Sequence, residues 1–283
     1  MFHPRFFLDI IYNMPKSKLV DIQFCFPRFF GESKKAFVDA LIRNIQSNKK
    51  IGYAGYSYKK YLREAISYRF NDDNIKDYKL LPTINKNKLI EVVQSVVHKC
   101  DKELPLLTPP LFVFVFPWFP QKNTAGLQGV TGFTPYSNTI HLFISPNKFS
   151  IRSLMETIAH EFNHAIFFHN HPFEQTLIDT IIFEGLAGNF EEEIINRGHS
   201  APSIALTIKE SKRVLHSLEP LLNSKDYNLY RDVFFGNKKY KKWTGYSIGY
   251  WIVKSFRKKY PTLSWKKIME MSNKKILDKS TFI

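Results

Sequence analysis

The run His160-Glu161-Phe162-Asn163-His164 has the pattern HExxH. Side chains four positions apart on a helix share one face, with Cβ atoms about 5–6 Å apart, so two imidazoles at this spacing can grip one ion. Zinc accepts neutral imidazole nitrogen at about 2.0–2.1 Å. Glu161, next to the first imidazole, is placed to act as general base on a metal-activated water, and the chemistry expected is hydrolysis of a peptide bond. Nine histidines and fourteen glutamates scattered over 283 residues would produce about 0.014 such matches, so coincidence does not account for the pattern.

A catalytic zinc takes three protein ligands and keeps one position open. The metzincin pattern HExxHxxGxxH would need glycine and histidine where this chain has Phe167 and Asn170. Glu184, twenty residues beyond His164 in Phe183-Glu-Gly-Leu-Ala187, instead completes a two-His-one-Glu set, and the small residues Gly185 and Gly188 let two helices approach closely. His169 and His171 stand near enough to serve as ligands or to support one, and closing the site with either would make the zinc structural. Asp179 and Glu191 are the carboxylates available to orient a ligand imidazole; Glu191, seven positions from Glu184, shares its helix face. Peptide hydrolysis also requires a donor for the developing oxyanion, for which Tyr246 is the first choice and Tyr250 and His216 the reserves.

These residues resemble a known family. Ala159-His-Glu-Phe-Asn-His164, Thr176-Leu-Ile-Asp-Thr180 with Glu184-Gly-Leu-Ala187, and Gly245-Tyr-Ser-Ile-Gly-Tyr250 look like a bacterial domain family of predicted zinc-dependent proteases, over roughly residues 111–277. The resemblance implies a gluzincin-like metallopeptidase with His160, His164 and Glu184 on Zn2+, Glu161 catalytic, and a peptide or protein as substrate. Where thermolysin relatives often show ExxxD, the position four after Glu184 is Gly188.

The elements that must hold these groups follow from periodicity. Apolar residues recur at helical spacing over Ala36 to Ile45, Tyr58 to Ile66 and Leu89 to Val97. Leu111 to Phe116 reads as a buried strand, Gly126, Gly129 and Gly132 as a loop, and Thr139 to Ser145 as a second strand that an extended substrate could join by strand addition. Ser153-Leu-Met-Glu156 has the form of a capping box opening the HExxH helix, which should run to about Phe168. A helix is expected over Thr176 to Ile195, another from Pro202 to about Leu222, and the Gly245–Tyr250 segment should lead into one that Pro261 ends. The fold class expected is α+β and zincin-like, mainly helical, with a small mixed sheet beside the HExxH helix. A helical N-terminal region over 1–103 precedes a catalytic domain over 104–283.

Composition bounds the alternatives. A chain that is 44% hydrophobic has a core to bury, and two cysteines, Cys25 and Cys100, are too few for a crosslinked secreted scaffold. The apolar run Leu111 to Pro120 is too short to span a bilayer, and no secretory signal is evident at the start, so the expected location is cytoplasmic. Of the net charge of +16, the stretch from Lys238 to Lys279 carries +11. That bias supports a second reading, a nucleic-acid or anionic-partner binding protein with a vestigial or structural zinc site, although no helix-turn-helix, RNA-recognition or zinc-finger signature accompanies it.

Overall fold

The computed structural model describes residues 19–25, 35, 36, 38, 39, 42, 43, 84–118, 126–146, 148–171, 176–196 and 198–282. The helix expected over Tyr58 to Ile66 lies outside them; that over Ala36 to Ile45 is described only at 36, 38, 39, 42 and 43, all helical. The protein is α+β and mainly helical, with one small mixed sheet. The described residues form two compact units, one within 1–98 and 108–158, the other within 99–107 and 159–283. The division falls inside helix α1 (Lys86–Glu103) and inside helix α2 (Ile151–Asn170).

The first unit holds four strands, β1 (Val20–Phe24), β2 (Leu111–Pro117), β3 (Val130–Tyr136) and β4 (Thr139–Ile144), in the order β1-β2-β4-β3. β1 and β4 both run parallel to β2, whereas β3 pairs antiparallel with β4. Every residue of β2 and β4 is buried, which is why both read as continuous apolar runs without alternation. Two strands were not anticipated. β1 sits in a start that reads as irregular, and β3 occupies part of the expected glycine loop, with Gly132 opposite Leu142. Gly132 and Pro135 are residues that strands usually avoid, and the β3–β4 register breaks between Phe133 and Tyr136, around a proline with no amide to donate. β4 cannot accept a substrate strand, because β2 occupies one of its edges and β3 the other.

Helix α2 begins at Ile151, earlier than the expected box at Ser153. Ser150 caps it, accepting from the Leu154 amide on its carbonyl and from the Ser153 amide on its hydroxyl, while Glu156 pairs with Arg152 at 2.6 Å.

The second unit is built around α3 (Leu177–Ile195), buried on nearly all sides. Its start is a capping box: the Thr176 hydroxyl accepts from the Asp179 amide, and the Asp179 carboxylate accepts from the Thr176 amide. Further helices are α4 (Ile208–Leu218), α5 (Tyr227–Phe235), α6 (Thr244–Lys259), α7 (Trp265–Met269) and α8 (Asn273–Lys279). α4 starts six residues later than Pro202 suggests, because Thr207 and Glu210 supply a complete capping box there. The Gly245–Tyr250 segment lies within the first turns of α6.

Thr176→Ala removes the cap that starts the helix carrying Glu184. It should lower stability by about 1 kcal/mol in urea denaturation; an unchanged midpoint would show that the cap contributes nothing.

Candidate metal centre

Helices α2 and α3 run antiparallel where the expected ligands meet: His160 lies against Glu184 and Glu191, Phe162 against Phe190, and His164 and Phe167 against Phe183. The His160 Nε2 is 3.0 Å from Glu184 Oε2, and the His164 Nε2 is 3.5 Å from the same oxygen. One ligand atom from each of the three residues lies within 4.8 Å of the others. Two donors about 2.1 Å from a tetrahedral zinc stand about 3.4 Å apart, close to the two nitrogen–oxygen separations here. The remaining nitrogen of His160, Nδ1, lies 3.2 Å from Glu191 Oε2, a buried carboxylate that fixes the ring with Nε2 towards Glu184. His164 is held differently, its ring stacked on Phe183 at 3.7 Å between centroids. Glu161 is buried beside His160 on α2.

The position of Glu184 depends on a glycine contact between α3 and α6. A Cβ on Gly185 would collide with the carbonyl oxygen of Gly249, and one on Gly249 with the carbonyl oxygen of Ile181. The two backbones therefore touch directly beside the carboxylate. Buried Asn189 closes the crossing, its amide donating to the carbonyls of Gly185 (2.8 Å) and Tyr250 (2.9 Å).

Residues 89–278, or 190 of 283, match the family described as "Predicted Zn-dependent protease (DUF2268)". The chain belongs to this family. Among curated proteins it is similar to the uncharacterized protein YjfC of Bacillus subtilis (strain 168), 26% identical over 150 residues that make up 48% of each chain. The chain thus spans about half the length of the curated relative it matches. No solved structure matches it. Family membership makes zinc the metal concerned, and the partly buried His–His–Glu donor set suits zinc in ligand type.

The other residues singled out in the sequence fall elsewhere. His169 is exposed, and His171 stacks on Phe167 with its Nε2 2.8 Å from the Met269 carbonyl. Among the described residues the group that could hold a metal ion is His160, His164 and Glu184, with neither of these histidines in it. Asp179 caps α3 and accepts from Asn273. Tyr246 is half-buried on α6, its ring edge-on to Phe234 at 5.2 Å. The Tyr250 hydroxyl donates to Glu192 at 2.8 Å, and burial with that contact raises its pKa. His216 is exposed beside Glu219. Asn189 was missed; the available signal was one amide amid the apolar residues and glycines of α3.

Three of the thirteen basic residues between Lys238 and Lys279 are spent within this unit: Lys241 on Glu210, Lys254 on Glu192 and Arg257 on Glu193.

Without metal, His160 and Glu184 shift each other's proton affinity in opposite directions. Burial by itself would lower the His160 pKa, but the hydrogen bonds and negative charges of Glu184 and Glu191 outweigh it and raise the pKa well above 6.5. Burial likewise opposes ionisation of Glu184, yet His164 and His160 draw its pKa down from 4.5 to about 2. The His160 contribution to stability is therefore fully present below pH 6.5 and is lost as pH rises through its raised folded value. The Glu184 contribution is present above pH 4.5 and is lost as pH falls towards about 2.

In chelator, wild type should lose stability relative to His160→Gln as pH rises through and beyond neutrality; parallel pH profiles of the two proteins would refute the arrangement. Gly249→Ala should destabilise the fold by more than the few tenths of a kcal/mol typical of surface changes, with about 1–3 kcal/mol expected for overpacking, and should weaken zinc binding as well. Wild-type denaturation and zinc titration curves for this variant would contradict the crossing.

Proposed function

We propose that this chain is a gluzincin-like zinc metallopeptidase with a zincin-like fold, in which His160, His164 and Glu184 hold the ion and Glu161 is the general base. The observation that supports this most is the Glu184 oxygen placed 3.0 Å and 3.5 Å from the two Nε2 atoms, a ligand spacing present before any ion arrives. Zinc, when bound, supplies Lewis acidity, polarising the scissile carbonyl and making water acidic enough to lose a proton near neutral pH.

The chain's own groups carry the rest. A Glu161 carboxylate oxygen takes a proton from the attacking water and returns it to the departing amine nitrogen, so the same side chain acts as base and then as acid. Glu191 holds the His160 tautomer with its proton on Nδ1, leaving Nε2 free to ligate. The Tyr246 phenol donates to the oxyanion of the substrate carbonyl. Its α6 backbone is joined to the Glu184 helix through Gly249, which supports that assignment. Burial of Glu161 and His164 keeps their local dielectric low, strengthening each of these interactions.

Purified protein should contain one zinc per chain, and Glu161→Gln should retain the metal while lowering peptide hydrolysis by about 10²–10⁴-fold. Activity unchanged in Glu161→Gln, or a chain that takes up no zinc, would end this reading. Glu191→Gln should weaken zinc binding by about 10–100-fold in a chelator competition. Tyr246→Phe should lower kcat by about 10²–10³-fold with little change in KM; equal kcat would remove Tyr246 from the mechanism.

A further inference from the structure

The second unit carries a surface that hydrolysis leaves unused. Tyr227, the first residue of α5, is 69% exposed and Phe235, the last, is 50% exposed. Half-buried Tyr230 links them, its ring centroid 5.9 Å from each. Just beyond stand Lys238, Lys239, Lys241 and Lys242, interleaved with Tyr240 and followed by Trp243. A tight turn folds these lysines back against the end of α5: the Asn237 amide donates to the Tyr240 carbonyl and the Trp243 amide to the Phe234 carbonyl. Trp243 closes the turn at φ 66, a left-handed conformation unfavourable for a bulky residue. From 225 to 243 the chain carries six basic residues against Asp226 and Asp232, and Lys241 reaches out to Glu210.

We infer that Tyr227 and Phe235, with Lys238 and Lys239, form a peripheral docking surface for an anionic phospholipid bilayer. Aromatic rings settle among lipid headgroups with their apolar bodies inward, and lysines around them are drawn to acidic lipids. A nucleic acid is the other polyanion such charge attracts, but the two rings set among the lysines are not open for base stacking. Here the Lys242 ammonium lies 4.1 Å above the Trp243 ring, and Tyr240 is buried with Lys239 5.0 Å over it. No helix among the described residues is long and apolar enough to cross a membrane, so the attachment is to one face of the bilayer and reversible. Each lysine near an acidic surface strengthens partitioning by about fivefold, an effect that salt screens.

The test is co-sedimentation of the full chain with vesicles of phosphatidylcholine alone and of phosphatidylcholine mixed with phosphatidylglycerol, with EDTA present so that metal binding plays no part. Binding to the mixed vesicles only, weakening as salt rises, is the expected result. Lys238→Gln with Lys239→Gln should weaken it by about 25-fold, on the fivefold effect per lysine. Phe235→Ser and, separately, Tyr227→Ser should weaken it while leaving its salt dependence unchanged; all four positions are exposed, and thermal melts verify folding. The inference is overturned if neither vesicle binds, if both bind equally, or if both aromatic variants bind like wild type. It is also overturned if single-stranded DNA binds and the vesicles cannot displace it. Because EDTA is present throughout, neither outcome bears on whether the chain hydrolyses peptides.

Discussion

A single carboxylate oxygen, Glu184 Oε2, faces two imidazole nitrogens inside the second unit, and the arrangement around it follows from satisfying that buried charge. An isolated carboxylate there would be strongly disfavoured; two nitrogens within hydrogen-bonding range make its ionised form the stable one. The same attraction favours the protonated form of His160, so the metal-free protein holds a proton at the proposed ion site. Metal uptake and proton release are thereby linked, and affinity must fall as pH falls.

That carboxylate can sit where it does only because α3 meets α6 without side chains between them. Gly185 lies against the Gly249 carbonyl and Gly249 against the Ile181 carbonyl across the crossing, and the buried Asn189 amide bonds both backbones. The two glycine-bearing motifs, separated by some sixty residues of chain, are thus two halves of one contact. A methyl group on either would push α3 away from α6 and move Glu184 relative to the histidines. The glycine following Glu184 serves packing, while the glutamate itself serves chemistry.

Three successive acids near the end of α3 anchor it in three directions, because neighbouring residues on a helix point about 100° apart. Glu191 reaches His160 on α2, Glu192 meets Lys254 and Tyr250 on α6, and Glu193 pairs with Arg257 and accepts from the Trp265 indole. Lys254 is 43% exposed, so its ion pair adds at most about 1 kcal/mol. The collective effect is orientation: the acids fix the rotation of α3 about its axis, and with it the direction of Glu184. Part of the basic C-terminal stretch therefore answers internal acids, while Lys238 and Lys239 beside α5 are exposed.

How much of this could be read from the chain depends on the range of the interactions. His160, Glu161 and His164 were legible because helical periodicity turns a spacing of four into a shared face, and β2 and β4 because long apolar runs declare burial on both sides. Thr176 was the expected start of α3, since apolar residues recur at helical spacing from Leu177 onward; its capping box was seen only in the structure. The Ser153 box failed for the same reason it was proposed: Ser150 competes with it three residues upstream, and local signals cannot rank the two. Strand β3 hid behind Gly132 and Pro135, and β1 within an irregular start, because a parallel partner ninety residues away leaves no local trace. By itself the sequence determined which groups stand at a spacing that could hold an ion and which stretches form the helices around them and strands β2 and β4. Only the folded chain decided that Glu191 and not Asp179 steadies His160, that β4 is enclosed by two neighbours, and that Gly185 meets Gly249. Those outcomes depend on distances between segments remote in sequence, set by the packing of whole helices and strands and not by the residues beside them.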